Sequence, residues 1–142
     1  SYPGETNIIG HYIWPLAEAR EGHIIMDRSW LSERPYGEVY RQGEDRLKAD
    51  IGFPSGECIL SALAHRLGAI VILCLPPLPT VMKNWSERKE REMLETPEQI
   101  CDVWRHYYTS SSRWTMEYGI NVVNYDYTTD GVDDLLEKID AA

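Results

Sequence analysis

Basic residues are scarce in this chain: 14 Lys and Arg stand against 23 Asp and Glu over 142 residues, giving a formal net charge of −9 and a pI near 4.8. Phosphate backbones select basic faces, so this balance argues against a nucleic-acid binder and leaves room for an anionic small molecule in a local basic pocket. Cysteine is scarce too. Cys58, Cys74 and Cys101 are odd in number, far apart and set among apolar neighbours. That pattern excludes a disulfide frame and reads as reduced core thiols of a cytoplasmic protein. Long apolar runs are missing: the longest, residues 69–75, stops at Pro76-Pro77 and is too short to cross a bilayer. No signal peptide is visible, and the chain begins at Ser1 without an initiator Met, as a processed or trimmed product would. His11, His23, His65 and His106 lack ligand-like spacing to one another or to the cysteines, so no zinc site is expected.

What is present suffices for one domain spanning 1–142, since 43% of the residues are hydrophobic. Ile8, Ile9, Tyr12, Ile13 and Leu16 recur at helical spacing between Asn7 and Arg20, with Pro15 predicted to kink or interrupt the helix. His23 to Met26 reads as a short strand, and residues 29–40 as an irregular helix broken by Pro35 and Gly37. "PSGECILSALAHRLG" predicts a helix with Ser55 as N-cap, an apolar face of Ile59, Leu60, Leu63, Ala64 and Leu67, and Gly68 at its C-terminal stop. The run "AIVILCL" has no polar alternation, as in a strand buried on both faces of a parallel sheet.

After Pro76, Pro77 and Pro79, a charged helical segment covers about residues 80–95. Thr96, Pro97 and Gln99 then form a capping-box signature for a helix carrying Ile100, Val103, Trp104, Tyr107 and Tyr108, which Gly119 ends after Tyr118. A strand "INVVNY" and an amphipathic helix "VDDLLEKI" close the chain. The acids of "DYTTDGVDD" do not match calcium-loop spacing and read as helix caps. Alternation of helices and strands predicts an α/β sandwich with a mainly parallel sheet, whose ligands bind beyond the carboxyl ends of the strands.

Asp27-Arg28 would lie at such a carboxyl end. Two roles use the same geometry. Asp27 could cap the next helix and pair with Arg28, or Arg28 could grip a phosphate with its planar fork while Asp27 accepts a hydrogen bond or proton from an attacking oxygen. "DRSWLSERPYG" resembles the Asp-Arg-x-x-x-Ser-x-x-x-Tyr segment of thymidylate kinases and related deoxynucleoside kinases, with Asp27, Arg28, Ser32 and Tyr36 at the matching places. "YPGETNIIG" is similar to their Pro-Gly-x-Thr segment through Pro3, Gly4 and Thr6. "AIVILCLPP" and "KNWSERKERE" resemble the strand leading to their lid and the lid itself, and the closing strand and helix match in order.

The resemblance implies a three-layer P-loop kinase sandwich in which ATP, with Mg2+, gives its γ-phosphoryl group to a deoxynucleoside monophosphate such as dTMP. On that pattern Arg28 holds the acceptor phosphate, Asp27 orients the acceptor, and Ser32 and Tyr36 line its pocket with Pro3, Gly4 and Thr6. Arg88 and Arg91 are the lid arginines near the transferring group, with Lys83 and Lys89 as lesser candidates. The alternative for the lid is a solvated helix, because Arg88, Lys89 and Arg91 lie among Glu87, Glu90, Glu92 and Glu95. Trp30, beside the Asp-Arg pair, is a candidate to touch substrate.

Two departures matter. The 142 residues contain no Gly-Lys pair, and so no Gly-x-x-x-x-Gly-Lys-Ser/Thr phosphate loop. We therefore expect the first strand and the P-loop to be missing from the chain, which would then need an added segment, a partner or a homodimer to complete its sheet. The family's arginine before Pro-Gly and glutamine after the tyrosine are replaced by Ser1-Tyr2 and Gly37. Arg34 and Arg41 could compensate, although surface exposure is the simpler reading for either. The alternative function is a non-catalytic nucleotide-binding or protein-interaction module on a kinase scaffold that has lost its phosphate loop.

Overall fold

The structure, a computed structural model, describes residues 8–39, 55–88, 90 and 95–142. The chain divides into two units, Ser1–Ala69 and Ile70–Ala142. In the first, helix α1 (Ile8–Glu18) runs through Pro15, contrary to the expected interruption. Proline removes one helical donor, but the Ala19 N–H still bonds the Pro15 carbonyl at 3.0 Å, so the next turn is held. Tyr12 and Leu16, one turn apart, carry the buried face.

The strand expected at 23–26 does not form. These residues have no regular structure, and Ile25 is 98% exposed. A strand is stabilised by a neighbour that takes up its N–H and C=O groups, and no described residue pairs with this segment. The irregular helix expected at 29–40 resolves into a 3-10 turn, Trp30–Ser32, followed by helix α2 (Glu33–Val39). Pro35 falls in the first turn of α2, where an N–H would have no helical partner to lose.

Helix α3 (Ser55–Arg66) ends as expected at Gly68, whose φ of 69° is cheap only for glycine. Its inward stripe differs from the expected one. Besides Gly56, the buried positions are Glu57, Leu60, Ser61 and Ala64, at the i, i+3, i+4, i+7 spacing of one helical face, while Ile59 is 55% exposed. Polar side chains can occupy that stripe because each has a partner on the facing segment.

In the second unit, β1 (Ile70–Cys74) and β2 (Asn121–Tyr125) pair in parallel, from Ile70 opposite Asn121 to Cys74 opposite Tyr125. The class is therefore α/β with a small parallel sheet of two described strands. Burial of β1 on both faces is not observed: Leu73 is buried, but Ile72 is 42% exposed. Two strands offer each other hydrogen bonds but cover little of each other's faces.

The parallel connection passes through helices α4 (Leu78–Arg88) and α5 (Pro97–Tyr118). At the start of α5, Thr96 Oγ1 accepts from the Gln99 N–H at 3.2 Å and Gln99 Oε1 accepts from the Thr96 N–H at 3.1 Å, completing the expected capping box. Gly119, at φ 68°, ends the helix. Ile100, Val103, Ser110 and Trp114 form its buried stripe, and the Trp104 indole N–H bonds the Pro76 carbonyl at 2.9 Å.

Helix α6 (Val132–Asp140) opens with the Gly131 N–H bonded to Asp134 Oδ2 at 2.7 Å, an acidic cap as expected. Lys138 Nζ ties this helix to Asp130 Oδ2 at 2.8 Å and to the Asn124 carbonyl at 3.1 Å. The hydrogen bond from Lys138 lowers the Asp130 carboxyl from its ordinary value, and the same bond raises the Lys138 ammonium. No disulfide joins Cys58, Cys74 and Cys101, and Cys58 and Cys74 are exposed instead of lying in a core. Cys58 sits off the buried stripe of α3, and Cys74 shares the exposed side of β1 with Ile70 and Ile72. Among the described residues, no helix is long and apolar enough to cross a membrane.

Candidate functional site

Asp27 and Arg28 are both exposed, on the irregular segment between α1 and the 3-10 turn. Without a strand at 23–26, their expected position at a strand's carboxyl end is corrected. The capping role does not belong to Asp27 either. Ser29 is the N-cap, in extended backbone, with its hydroxyl accepting from the Leu31 N–H at 3.3 Å and its carbonyl accepting from the Ser32 N–H at 3.0 Å. Neither Asp27 nor Arg28 makes a side-chain hydrogen bond or ion pair with a described residue.

Arg28 is the one described non-glycine residue with positive φ, 67°. An L side chain in that region costs roughly 1–2 kcal/mol. Residues so held cluster at ligand clamps and active sites, because the surrounding structure has to impose the conformation.

The segment that follows is imposed from below. The Trp30 indole N–H donates to the Ser61 hydroxyl at 3.0 Å, and Trp30 is only 4% exposed. Its role is therefore internal support, which corrects its candidacy as a substrate contact. The Tyr12 hydroxyl donates to Glu33 Oε1 at 2.6 Å, and the Tyr12 and Trp30 rings meet edge to face at 6.0 Å. Arg34 pairs with Glu57 at 3.5 Å. The 3-10 turn and the first turn of α2 are thereby fastened to α1 and α3 at successive residues.

Ser32 and Tyr36, four residues apart and both half-buried, flank the buried line of Leu31, Pro35 and Val39. The first unit thus carries Asp27, Arg28, Ser32 and Tyr36 on one short segment. Pro3, Gly4, Thr6, Lys89, Arg91 and Arg41 lie outside the described residues. In the second unit Arg88 is exposed at the last position of α4, where a cation complements the helix dipole, and it makes no ion pair with a described residue.

Glu33, Glu57 and Ser61 are the site-supporting residues that patterning missed. The signal for Glu57 and Ser61 was present in the 57/60/61/64 spacing, but polar letters in a helical stripe read as surface until a partner is known. A phosphate cradle for ATP is not among these 142 residues, and no group of three His, Cys, Asp or Glu among the described residues is placed to hold a metal ion. No protein-family model matches this chain, and neither a curated protein nor a solved structure is detectably similar to it.

Proposed function

We propose that this chain carries the acceptor-binding part of a nucleotide kinase that moves the γ-phosphoryl group of ATP to a deoxynucleoside monophosphate such as dTMP. The observation that carries this reading is Arg28: an exposed guanidinium on a backbone held at φ 67°, next to an exposed carboxylate that is neither its ion-pair partner nor the helix cap. A planar fork of N–H donors suits the oxygens of a phosphate monoester, and a neighbouring carboxylate suits the orientation of the oxygen that receives the phosphoryl group. Ser32 and Tyr36 supply hydroxyls along the same segment for the sugar and base. The resemblance of "DRSWLSERPYG" to the acceptor segment of thymidylate kinases supports the same assignment.

In a transfer of this kind the protein's main work is to position the groups and neutralise charge. Arg28 fixes the acceptor phosphate, and Asp27 holds its position relative to the group in flight. The ATP phosphates need a cradle that these 142 residues do not contain, so no step is assigned to them. Equilibrium binding of radiolabelled dTMP to the chain tests the acceptor site, and phosphoryl transfer from ATP to dTMP by the protein as its gene encodes it tests the reaction. Saturable dTMP binding that Arg28→Ala weakens by about 100-fold is expected, given the strength of bidentate charge-assisted contacts. Unchanged binding in that variant would remove Arg28 from the site. Binding without any transfer would favour the second function, a nucleotide-binding module on a kinase-like scaffold, which the missing Gly-Lys pair specifically supports.

A further inference from the structure

Arg34 and Glu57 are the charged pair that the acceptor site leaves unused. Glu57 on α3 has 1% side-chain exposure, and its Oε2 stands 3.5 Å from a terminal nitrogen of Arg34 on α2, whose side chain keeps 30% exposure. Withdrawing a carboxylate from water costs several kcal/mol, and a well-packed apolar pair of similar volume is commonly as stable or more so. Leu60 and Ala64 on the same stripe show that apolar residues suit this face. The pair helps to fasten α2 to α3, but an apolar contact would do the same without burying a charge.

Its geometry suggests another purpose. The buried acid stands beside one terminal nitrogen of the guanidinium, while the Arg34 side chain keeps 30% exposure and donates no hydrogen bond to a described residue, so its N–H donors are left for a ligand. Because the pair is close to neutral as a unit, what it offers an anion is a fixed set of directed donors. Arg34 also lies two residues from Ser32 and two from Tyr36, and Arg28 and Arg34 are the only Lys or Arg residues between positions 21 and 39. In a chain of net charge −9, an anion arriving at this segment has these two side chains to meet it.

We infer that Arg34 is a second anion-binding arginine, that Glu57 is its positioning residue, and that its ligand is a phosphate monoester. The identity of that ligand as the nucleotide acceptor rests on the kinase reading, whereas the anion site itself does not. Glu57 biases the guanidinium toward the α3 side by its charge, so less side-chain entropy is lost when the anion binds.

The test is a titration of the whole chain, labelled with 15N-arginine, followed at the Nε–H resonances. The Arg34 signal is assigned by its loss in Arg34→Lys. Inorganic phosphate, dTMP and thymidine are the probes. Phosphate and dTMP are expected to shift the Arg34 signal saturably while thymidine does not, a split that a purely structural arginine would not produce. Glu57→Gln is expected to weaken the dTMP-driven response by about ten-fold, roughly 1.4 kcal/mol.

If dTMP shifts Arg28 and leaves Arg34 still, the inference is overturned and the acceptor site stands. If phosphate and dTMP both shift Arg34 but the protein never transfers phosphate, the inference stands and the kinase reading falls. An Arg34 signal that responds to neither probe, or equally to thymidine, also overturns it. The titration of the unmodified chain decides these outcomes even if Glu57→Gln fails to fold.

Discussion

Arg28 holds a conformation that most side chains avoid, and its replacement separates strain from function. Arg28→Gly removes the Cβ that makes φ 67° costly, while enlarging the conformational freedom of the unfolded chain. We expect urea denaturation to show stability unchanged or raised by up to about 1 kcal/mol, with dTMP binding lost. A variant that became less stable while binding normally would mean that the guanidinium serves the fold. Ser61 has the opposite character. Its hydroxyl is the acceptor for the buried Trp30 indole, so Ser61→Ala strands a donor and should cost about 1–3 kcal/mol in a denaturant titration. None of this was legible residue by residue. "ECILSALAHR" plainly reads as a helix, but a serine and a glutamate in it give no sign of which face they share until Trp30 and Arg34 are brought opposite.

Among the elements, α5 and α6 are those whose ends the sequence specifies best. Thr96→Ala removes half of the capping box and should lower stability by about 1 kcal/mol in thermal melts. At α6 the pH dependence follows from one pair. Asp130 titrates below its ordinary 3.8 in the folded state, so its contribution is present above that value and fades as pH falls through the lowered one. Lys138 titrates above its ordinary 10.5, so its share is present below that value and fades as pH rises through the raised one. The tie between α6 and the end of β2 should therefore hold across the interval between those limits. An NMR titration of the Asp130 carboxyl is expected to give a midpoint below 3.8 that returns toward 3.8 in Lys138→Met; a midpoint already at 3.8 would show that the contact contributes nothing in solution. Strands were less legible than helices. Residues 23–26 and 70–74 both read as short strands, yet among the described residues only the second pairs, because a strand exists by virtue of a partner that can be distant in sequence.

At the scale of the whole molecule, a ligand that binds only the folded first unit should protect that unit's amides from exchange. Saturating dTMP is expected to slow exchange in 8–39 and 55–66 and to leave β2 and α6 as they were, since binding stabilises the state that binds by about 2.7 kcal/mol at a hundred times Kd. Protection confined to the second unit would place the acceptor site elsewhere. The sequence by itself determined the local matters: the helix stops at Gly68 and Gly119 and the capping box at Thr96. Each follows from propensities and hydrogen bonds within a few residues. Tertiary structure decided which polar side chains are buried, that Ser29 and not Asp27 caps the turn, that Trp30 faces inward, and that Arg34 rests on Glu57. Those outcomes depend on segments such as 30–34 and 57–61 meeting across an interior where water is excluded, and a one-dimensional pattern carries no record of that meeting.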